Sequence, residues 1–322
     1  MSFSKKLERA KKQKQDEFYT QYSDIESEIE LILKHNPEYF NNKSVFCPCD
    51  NYEISNFTKY FVDNFDRLKL NSITSTSYSK DSNGRYFCLT REKKPVTGLL
   101  KDNGDFRTKE VKDIRNKSDV IITNPPFSLF REFFEFILLA KNKPQFLILG
   151  SLSAISYKIL SDRIIKKEIR LGVGLFNKDT VFKVPDDYKS CKEITQKLKK
   201  LGYNSGYTLL KNCCWFTNIE YSKPATLELI SELENKNAHK NSSAFLNRYL
   251  KKYDNQNAYE VQLLKSIPSD LGERIIGVPL TFVYYYNPDE FKILCLSKDL
   301  TIDGKNVFKR FLIQKVTEKR QT

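Results

Sequence analysis

The chain has 322 residues, 54 of them Lys or Arg against 40 Asp or Glu, which leaves a formal charge of +14, and 40% of its residues are hydrophobic. That apolar content excludes a chain without a core, and the 23 Phe and 18 Tyr provide the bulk for one. The longest apolar runs, such as Phe136 to Ala140 and Phe146 to Gly150, fall far short of the roughly 20 residues a bilayer requires.

Residues 1–15 form a basic arm, with Lys5, Lys6, Arg9, Lys11, Lys12 and Lys14 against Glu8 alone. No apolar stretch follows it, so it does not read as a signal peptide, and the expected location is the cytoplasm. Seven cysteines, an odd number, then read as reduced thiols. Neither Cys47-Pro48-Cys49 nor Cys213-Cys214 has the spacing or the histidine partners of a zinc site, so no metal is expected. With His35 and His239 the only histidines, both in polar stretches, a histidine-based nucleophile triad is not expected either. The positive excess favours a polyanionic partner, most simply nucleic acid, and Lys11, Lys12 and Lys14 are the first candidates to meet its phosphates.

From about 44 to 220, short apolar runs alternate with amphipathic stretches, the pattern of βαβ units around a mostly parallel sheet. The first strand is read at Ser44 to Cys49, and a helix follows from Ile54 to Phe65, with apolar residues recurring at three and four. A second strand follows at Ile73 to Tyr78. Tyr86 to Leu89 and Val96 to Leu100 flank a charged segment and predict a hairpin inserted into or leading the third strand. After Asp105 comes a short helix and then a fourth strand, Asp119 to Thr123. Ser128 is the expected cap of a helix over Leu129 to Ala140. Phe146 to Gly150, Arg170 to Leu175 and Cys213 to Ile219 complete seven strands, the last two separated by a Lys-rich excursion at 177–211. Past Tyr221 the alternation ends and a smaller unit begins. There Ile276 to Tyr286 reads as a strand, Asn287-Pro288-Asp289 as the start of a helix over Glu290 to Leu296, and Asp303-Gly304 as a tight hairpin turn.

The chemistry concentrates at Asn124-Pro125-Pro126-Phe127, at the carboxyl end of Val120-Ile121-Ile122-Thr123. In open α/β sheets, ligands bind at that edge. An exocyclic nucleobase amine is a poor nucleophile because its lone pair is delocalised into the ring. The side-chain carbonyl of Asn124 and the backbone carbonyl of Pro125 can each accept one N–H, drawing the nitrogen towards tetrahedral geometry as a methyl group arrives. The prolines stiffen the backbone and remove competing donors, and Phe127 offers a face to a base extruded from the duplex. The bland alternative is a strand-ending turn with Phe127 in the core. Cys49-Asp50-Asn51 after the first strand is placed for a methyl donor of the S-adenosylmethionine type. Asp105 could accept from the donor's adenine amine while Phe106 packs on its ring, and Tyr19-Thr20 could offer a hydroxyl to its carboxylate. Each acid taken singly also reads as a surface cap.

These blocks together resemble the EcoRI-type adenine-specific DNA methyltransferases. The likeness rests on Asp16-Glu17-Phe18-Tyr19-Thr20-Gln21, Cys47-Pro48-Cys49-Asp50, Gly104-Asp105-Phe106-Arg107, Ile122 to Phe130, and Gly277 to Phe282 with Asn287-Pro288 beyond, and it spans nearly the whole chain. It implies a class I methyltransferase fold, Rossmann-like with a mostly parallel seven-stranded sheet, over residues 16–220, and a target-recognition unit over 221–322. It also implies S-adenosyl-L-methionine as donor and N6 of adenine in duplex DNA as acceptor, reached by base flipping. The role implied is protection of DNA beside a restriction endonuclease, by a monomer, at a short palindrome such as GAATTC. Asn124, Pro125, Pro126 and Phe127 would then be the catalytic tetrapeptide, with Tyr19, Thr20, Cys49, Asp50, Asp105 and Phe106 around the donor. The glycine-rich turn usual after the first strand is missing, Cys47 to Asp50 standing in its place, and no acid for the donor's ribose stands near Thr76 to Ser79. Methylation of RNA base amines or of glutamine side-chain amides of proteins, and an inactive DNA-binding regulator, are the alternatives to this reading.

Overall fold

A computed structural model describes residues 18–92, 94–175, 178–184, 196–203, 205–221, 250–264, 267–268 and 271–316. The basic arm at 1–15, with Lys11, Lys12 and Lys14, lies outside the described residues. The chain divides into two compact units, one within Met1–Ala154 and Leu171–Ser222, the other within Ile155–Arg170 and Lys223–Thr322. The sequence reading has a single boundary near 220; the contacts also assign Ile155–Arg170 to the later unit.

The first unit begins with β1 (Tyr19–Thr20) and α1 (Tyr22–His35), followed by β2 (Ser44–Pro48), α2 (Asn56–Asp63) and β3 (Ser72–Ser77). A hairpin of β4 (Arg85–Thr90) and β5 (Val96–Leu99) comes next, then α3 (Lys109–Arg115), β6 (Val120–Thr123), α4 (Phe130–Leu138) and β7 (Gln145–Ser151). Beyond α5 (Lys158–Ile165), which belongs to the second unit, follow β8 (Arg170–Leu171), β9 (Thr180–Lys183), α6 (Gln196–Lys200), β10 (Tyr207–Leu210) and β11 (Cys213–Thr217).

These strands make a mixed sheet of eight in the order β5-β4-β3-β2-β6-β7-β11-β8. The expected sheet of seven mostly parallel strands is corrected here. Its parallel part is the central β3-β2-β6-β7, whereas β4, β5 and β11 pair antiparallel with their neighbours. The reason is local. The hairpin at 85–99 can only return antiparallel onto β3, and β11 enters beside β7 in the opposite sense. Of the expected strand at Arg170 to Leu175, only Arg170–Leu171 forms. The Lys-rich excursion contributes β9 and β10, which pair with β1 in a separate antiparallel sheet ordered β1-β9-β10.

Helices and strands hold together for ordinary reasons. β6 and all but the first residue of β7 are buried throughout, as strands covered on both faces must be. Ser55 caps α2 by accepting from the backbone N–H of Phe57 and Thr58, and Phe57, Tyr60 and Phe61 face the core. Ser128, by contrast, is not the cap of the next helix. It lies inside a 3₁₀ turn at Phe127–Leu129, and α4 starts at Phe130 with no side-chain cap. Two prolines deliver the chain into that tight turn, which closes with Leu129 N–H on the Pro126 carbonyl at 2.9 Å.

The second unit is a five-stranded sheet ordered β12-β13-β14-β18-β15, from Lys251–Lys252, Tyr259–Glu260, Ile275–Val278, Arg310–Lys315 and Phe291–Ser297 respectively. A small hairpin of β16 (Thr301–Ile302) and β17 (Lys305–Asn306) accompanies it. Two expectations are corrected in this unit. The strand read over Ile276 to Tyr286 ends at Val278, Pro279 turning the chain into a 3₁₀ helix at Leu280–Tyr285. The helix read over Glu290 to Leu296 is strand β15. What resembled a helix start is a turn in which the Asn287 side chain accepts from Asp289 N–H, and Phe291 and Ile293 are buried between exposed Lys292 and Leu294, a period of two. The Asp303-Gly304 turn forms as expected, both residues at positive φ. Among the described residues no helix is long and apolar enough to cross a membrane.

Candidate active site

The carboxyl ends of β2, β3 and β6 surround a cavity of about 590 Å³ in the first unit, a size ordinary for a cofactor site. Its wall includes Tyr19, Thr20, Cys49, Asp50, Asp105, Phe106 and Asn124, so one space gathers residues as much as 105 positions apart in the sequence. Pro126 is on the wall too, whereas Pro125 and Phe127 are not.

Asn124 leaves β6 directly at this edge. Its Nδ2 donates to the Phe18 carbonyl at 2.5 Å, which fixes the amide's orientation and leaves Oδ1 free of that bond. Oδ1 is buried and has no hydrogen-bond partner among the described residues. A buried carbonyl oxygen left unpaired costs on the order of 1–3 kcal/mol, and such an atom beside a cavity marks a position for a donor from outside the chain. The 3₁₀ turn closes on the Pro126 carbonyl and makes no use of that of Pro125. Phe127 is 4% exposed. Its ring packs against Phe18 at 5.7 Å and Phe182 at 6.4 Å between centroids. The face that the sequence reading gives to an extruded base is covered in this structure.

Phe18 to Thr20 are held in place from outside the main sheet. Tyr19 pairs with Lys183 and Thr20 with Phe182 in β9, and Asn56 at the start of α2 donates to the Thr20 carbonyl at 2.7 Å. The Thr20 hydroxyl is buried against the cavity and has no partner among the described residues.

Cys49 and Asp50 form the turn between β2 and α2. Cys49 sits at φ +60°, in the left-handed region that glycine occupies without cost. It stands where the usual glycine-rich turn is absent. The Asp50 N–H bonds to the Thr76 carbonyl at 2.7 Å, locking the turn to the end of β3. Asp50 is 9% exposed, and its carboxylate accepts from Ser55 Oγ at 2.5 Å and Thr58 Oγ1 at 3.3 Å. Burial pushes its pKa up to about 7, against the opposing pull of those hydroxyls.

Asp105 is tied to Arg107. It accepts from the Arg107 N–H and Nε at 2.8 Å on one oxygen and from Nη2 at 2.6 Å on the other. Those hydrogen bonds hold its carboxyl below the usual carboxylate range. Phe106 is buried and packs edge-on against Phe133 and Phe136, with the Arg107 guanidinium 5.4 Å from its ring centre. The loop carrying them reaches the cavity because Gly104, at φ +78°, lies against the end of β3, where an added Cβ would come 2.1 Å from the Ser77 carbonyl oxygen. Gly104→Ala is therefore expected to destabilise the fold by about 2–3 kcal/mol and to weaken ligand binding at this cavity, read together by urea unfolding and calorimetry.

The sequence reading missed the supports: Ser55 and Thr58 behind Asp50, Arg107 beside Asp105, and the Phe18 carbonyl behind Asn124. The Ser-x-x-Thr spacing at the start of α2 signals the first pair as a helix start. Nothing in the sequence signals a backbone carbonyl 106 residues away. Ser77, Tyr78 and Ser79, at the end of β3, also line the cavity, so hydroxyls stand where an acid was looked for. Among the described residues, no group of three or more His, Cys, Asp or Glu is placed to hold a metal ion.

The family model described as adenine-specific methyltransferase EcoRI matches residues 6–97 and 90–322. The chain belongs to the EcoRI family of adenine-specific methyltransferases. It is 35% identical to the type II methyltransferase M.EcoRI of Escherichia coli, over 97% of this chain and 96% of that protein. It is 33% identical to M.MgeORF184P of Mycoplasma genitalium, over 90% of this chain and 86% of that one. M.MpnI of Mycoplasma pneumoniae is also 33% identical, over 90% and 85%. No solved structure matches the chain. Its activity is site-specific adenine methylation of DNA, of the kind found in restriction-modification systems.

Proposed function

We propose that this member of the family transfers the methyl group of S-adenosyl-L-methionine to N6 of an adenine flipped out of duplex DNA, with Asn124 and Pro125 as the amine's acceptors. The observation that carries the proposal is the buried, unpartnered Oδ1 of Asn124, its amide locked in orientation by Phe18, on the wall of a cavity that also holds an unpartnered Thr20 hydroxyl and a buried carboxylate. The residues present fit the donor. Thr20 would take the methionyl carboxylate, Asp50 the ammonium, and Asp105, whose oxygens keep lone pairs beyond those given to Arg107, the adenine amine. Tyr78 and Ser79 supply hydroxyls for the ribose. The donor contributes an electrophilic methyl on sulfur. The chain's own part is to hold the acceptor amine. Asn124 Oδ1 and the Pro125 carbonyl accept its two N–H groups, which localises the lone pair on nitrogen and stabilises the positive charge that develops there. Phe127 is enclosed by Phe18 and Phe182, so stacking a base on it would require one of those rings to withdraw.

We take the domain limits as a basic arm at 1–15, a catalytic unit over 16–220, less the stretch Ile155–Arg170 that the contacts group with the later unit, and a target-recognition unit over 221–322. The protein would act as a monomer in the cytoplasm and pair functionally with a cognate endonuclease. The activity corresponds to the enzyme class of site-specific adenine DNA methyltransferases, EC 2.1.1.72. Transfer of tritiated methyl from the donor to plasmid DNA, total RNA and protein extract tests the reading: label in DNA as N6-methyladenine is expected, and label confined to RNA or protein would overturn it. Lys11, Lys12 and Lys14 are proposed phosphate contacts. Changing all three to alanine is expected to lower the slope of log affinity against log salt by about 0.9 for each lysine that meets a phosphate, measured by fluorescence anisotropy on duplex DNA.

A further inference from the structure

Phe308 is 85% exposed, more than any other large hydrophobic side chain described. It is presented, between β17 and β18, by backbone that is pinned on both sides. On one side the Asp254 carboxylate accepts from the N–H groups of Asp303 and Gly304 at 3.2 and 3.0 Å, and Val307 N–H bonds to the Leu300 carbonyl at 2.9 Å. On the other, Arg310 donates to the carbonyls of Lys309 and Phe308 at 3.3 and 3.5 Å. The Arg310 guanidinium is itself clamped on the buried Glu260 carboxylate at 2.6 to 3.2 Å, and the Tyr253 hydroxyl donates to the same carboxylate. Both members of that ion pair are nearly shielded from water, Arg310 with 11% and Glu260 with 4% of its side chain exposed.

A buried ion pair is costly to assemble, and its best use is to fix geometry. Here the guanidinium held by that pair also reaches the backbone carbonyls of Lys309 and Phe308, the stretch that carries an exposed phenyl ring. The charges around the ring point to what the ring meets. Asp303 is occupied by Lys251 at 2.9 Å, while exposed Lys305 and Lys309 flank Phe308 with no ion-pair partner among the described residues. An exposed apolar ring with exposed lysines on either side of it in the sequence suits a polyanion with stacked aromatic faces.

Resting on the methyltransferase reading, we propose that Phe308 is a DNA contact of the second unit: its ring wedges into or stacks on the bases of the duplex while Lys305 and Lys309 take the adjacent phosphates. Loosening the stack at one step lowers the work of extruding a base.

The test uses the full chain and plasmid DNA. Phe308→Ala is expected to lower kcat/KM for methyl transfer roughly 10- to 100-fold, with donor affinity and melting temperature as in the wild type, and Phe308→Trp to restore most of the loss. Phe308→p-benzoylphenylalanine should crosslink to the duplex on irradiation, and the same probe at exposed Leu263 should not. Wild-type kcat/KM in Phe308→Ala, or no crosslink from position 308, overturns the wedge while leaving the methyltransferase intact. A wild-type chain that puts no methyl into DNA overturns the underlying reading, and the wedge with it. Should the alanine variant fail to fold, the crosslink decides.

Discussion

Asn124→Ala is expected to cut the rate of methyl transfer by about 100- to 1,000-fold, the range seen when one preorganised transition-state partner is removed. Two features of the structure make the effect specific. The oxygen that alanine lacks is the one left unpartnered beside the cavity, and the nitrogen it lacks donates within the protein, to Phe18. Affinity for DNA rests mainly on phosphate contacts and affinity for the donor on other wall residues, so both should stay near wild type. Asn124→Asp sharpens the test. It keeps an acceptor oxygen but sets a second oxygen against the Phe18 carbonyl, so the carboxylate is repelled from the position the amide holds, and its activity should fall well below wild type. Single-turnover methylation of plasmid DNA reads both variants. A near wild-type rate in Asn124→Ala would remove the amide from the chemistry.

The second large effect concerns Asp50, where stability and binding are expected to move in opposite directions. Its pKa, pushed up to about 7 by burial, means that the folded chain holds a proton there more tightly than the unfolded chain does. Its contribution to stability is therefore fully present below the ordinary carboxylate pKa and is lost as pH rises through about 7. Asp50→Asn removes the buried charge and should raise stability most above pH 7, by an amount of the order of 1 kcal/mol or more. A cationic donor, however, is attracted to the ionised carboxylate. Wild-type affinity for S-adenosyl-L-methionine is expected to tighten as pH rises to about 7 and to weaken again above about 8, where the donor's own α-ammonium loses its proton. The asparagine variant should bind about 10- to 100-fold more weakly above pH 7 and lose the tightening below it. Calorimetric titration across pH 5 to 9 beside urea unfolding measures both signs. If the variant binds the donor as tightly as wild type at pH 8, Asp50 is not the ammonium's partner.

Much of the first unit was readable because its elements carry their own signals. The apolar runs of β2, β6 and β7 and the three-and-four spacing of α2 depend on neighbours in sequence, and their limits fall within two residues of the expected ones. The hairpin at 85–99 was readable from its charged turn, but not its antiparallel return onto β3. β15 misled because an Asx turn and a helix cap use the same residue types. β1 and β9 gave no signal: two and four residues long, they are strands only through distant partners, β1 on β9 and β9 on both β1 and β10.

The sequence by itself determined the chemistry on offer: an amide and two prolines ending a buried strand, acids following other strands, a basic chain without histidine pairs. Those are covalent facts and local patterns. Only the tertiary structure decided which atoms are free to act. Whether Asn124 Oδ1 is unpartnered, whether Asp50 holds its proton, whether the Phe127 ring is covered and whether that of Phe308 is bare all depend on desolvation and on hydrogen bonds closed by distant residues. Residue types name possible partners, and only packing determines which of them are already taken.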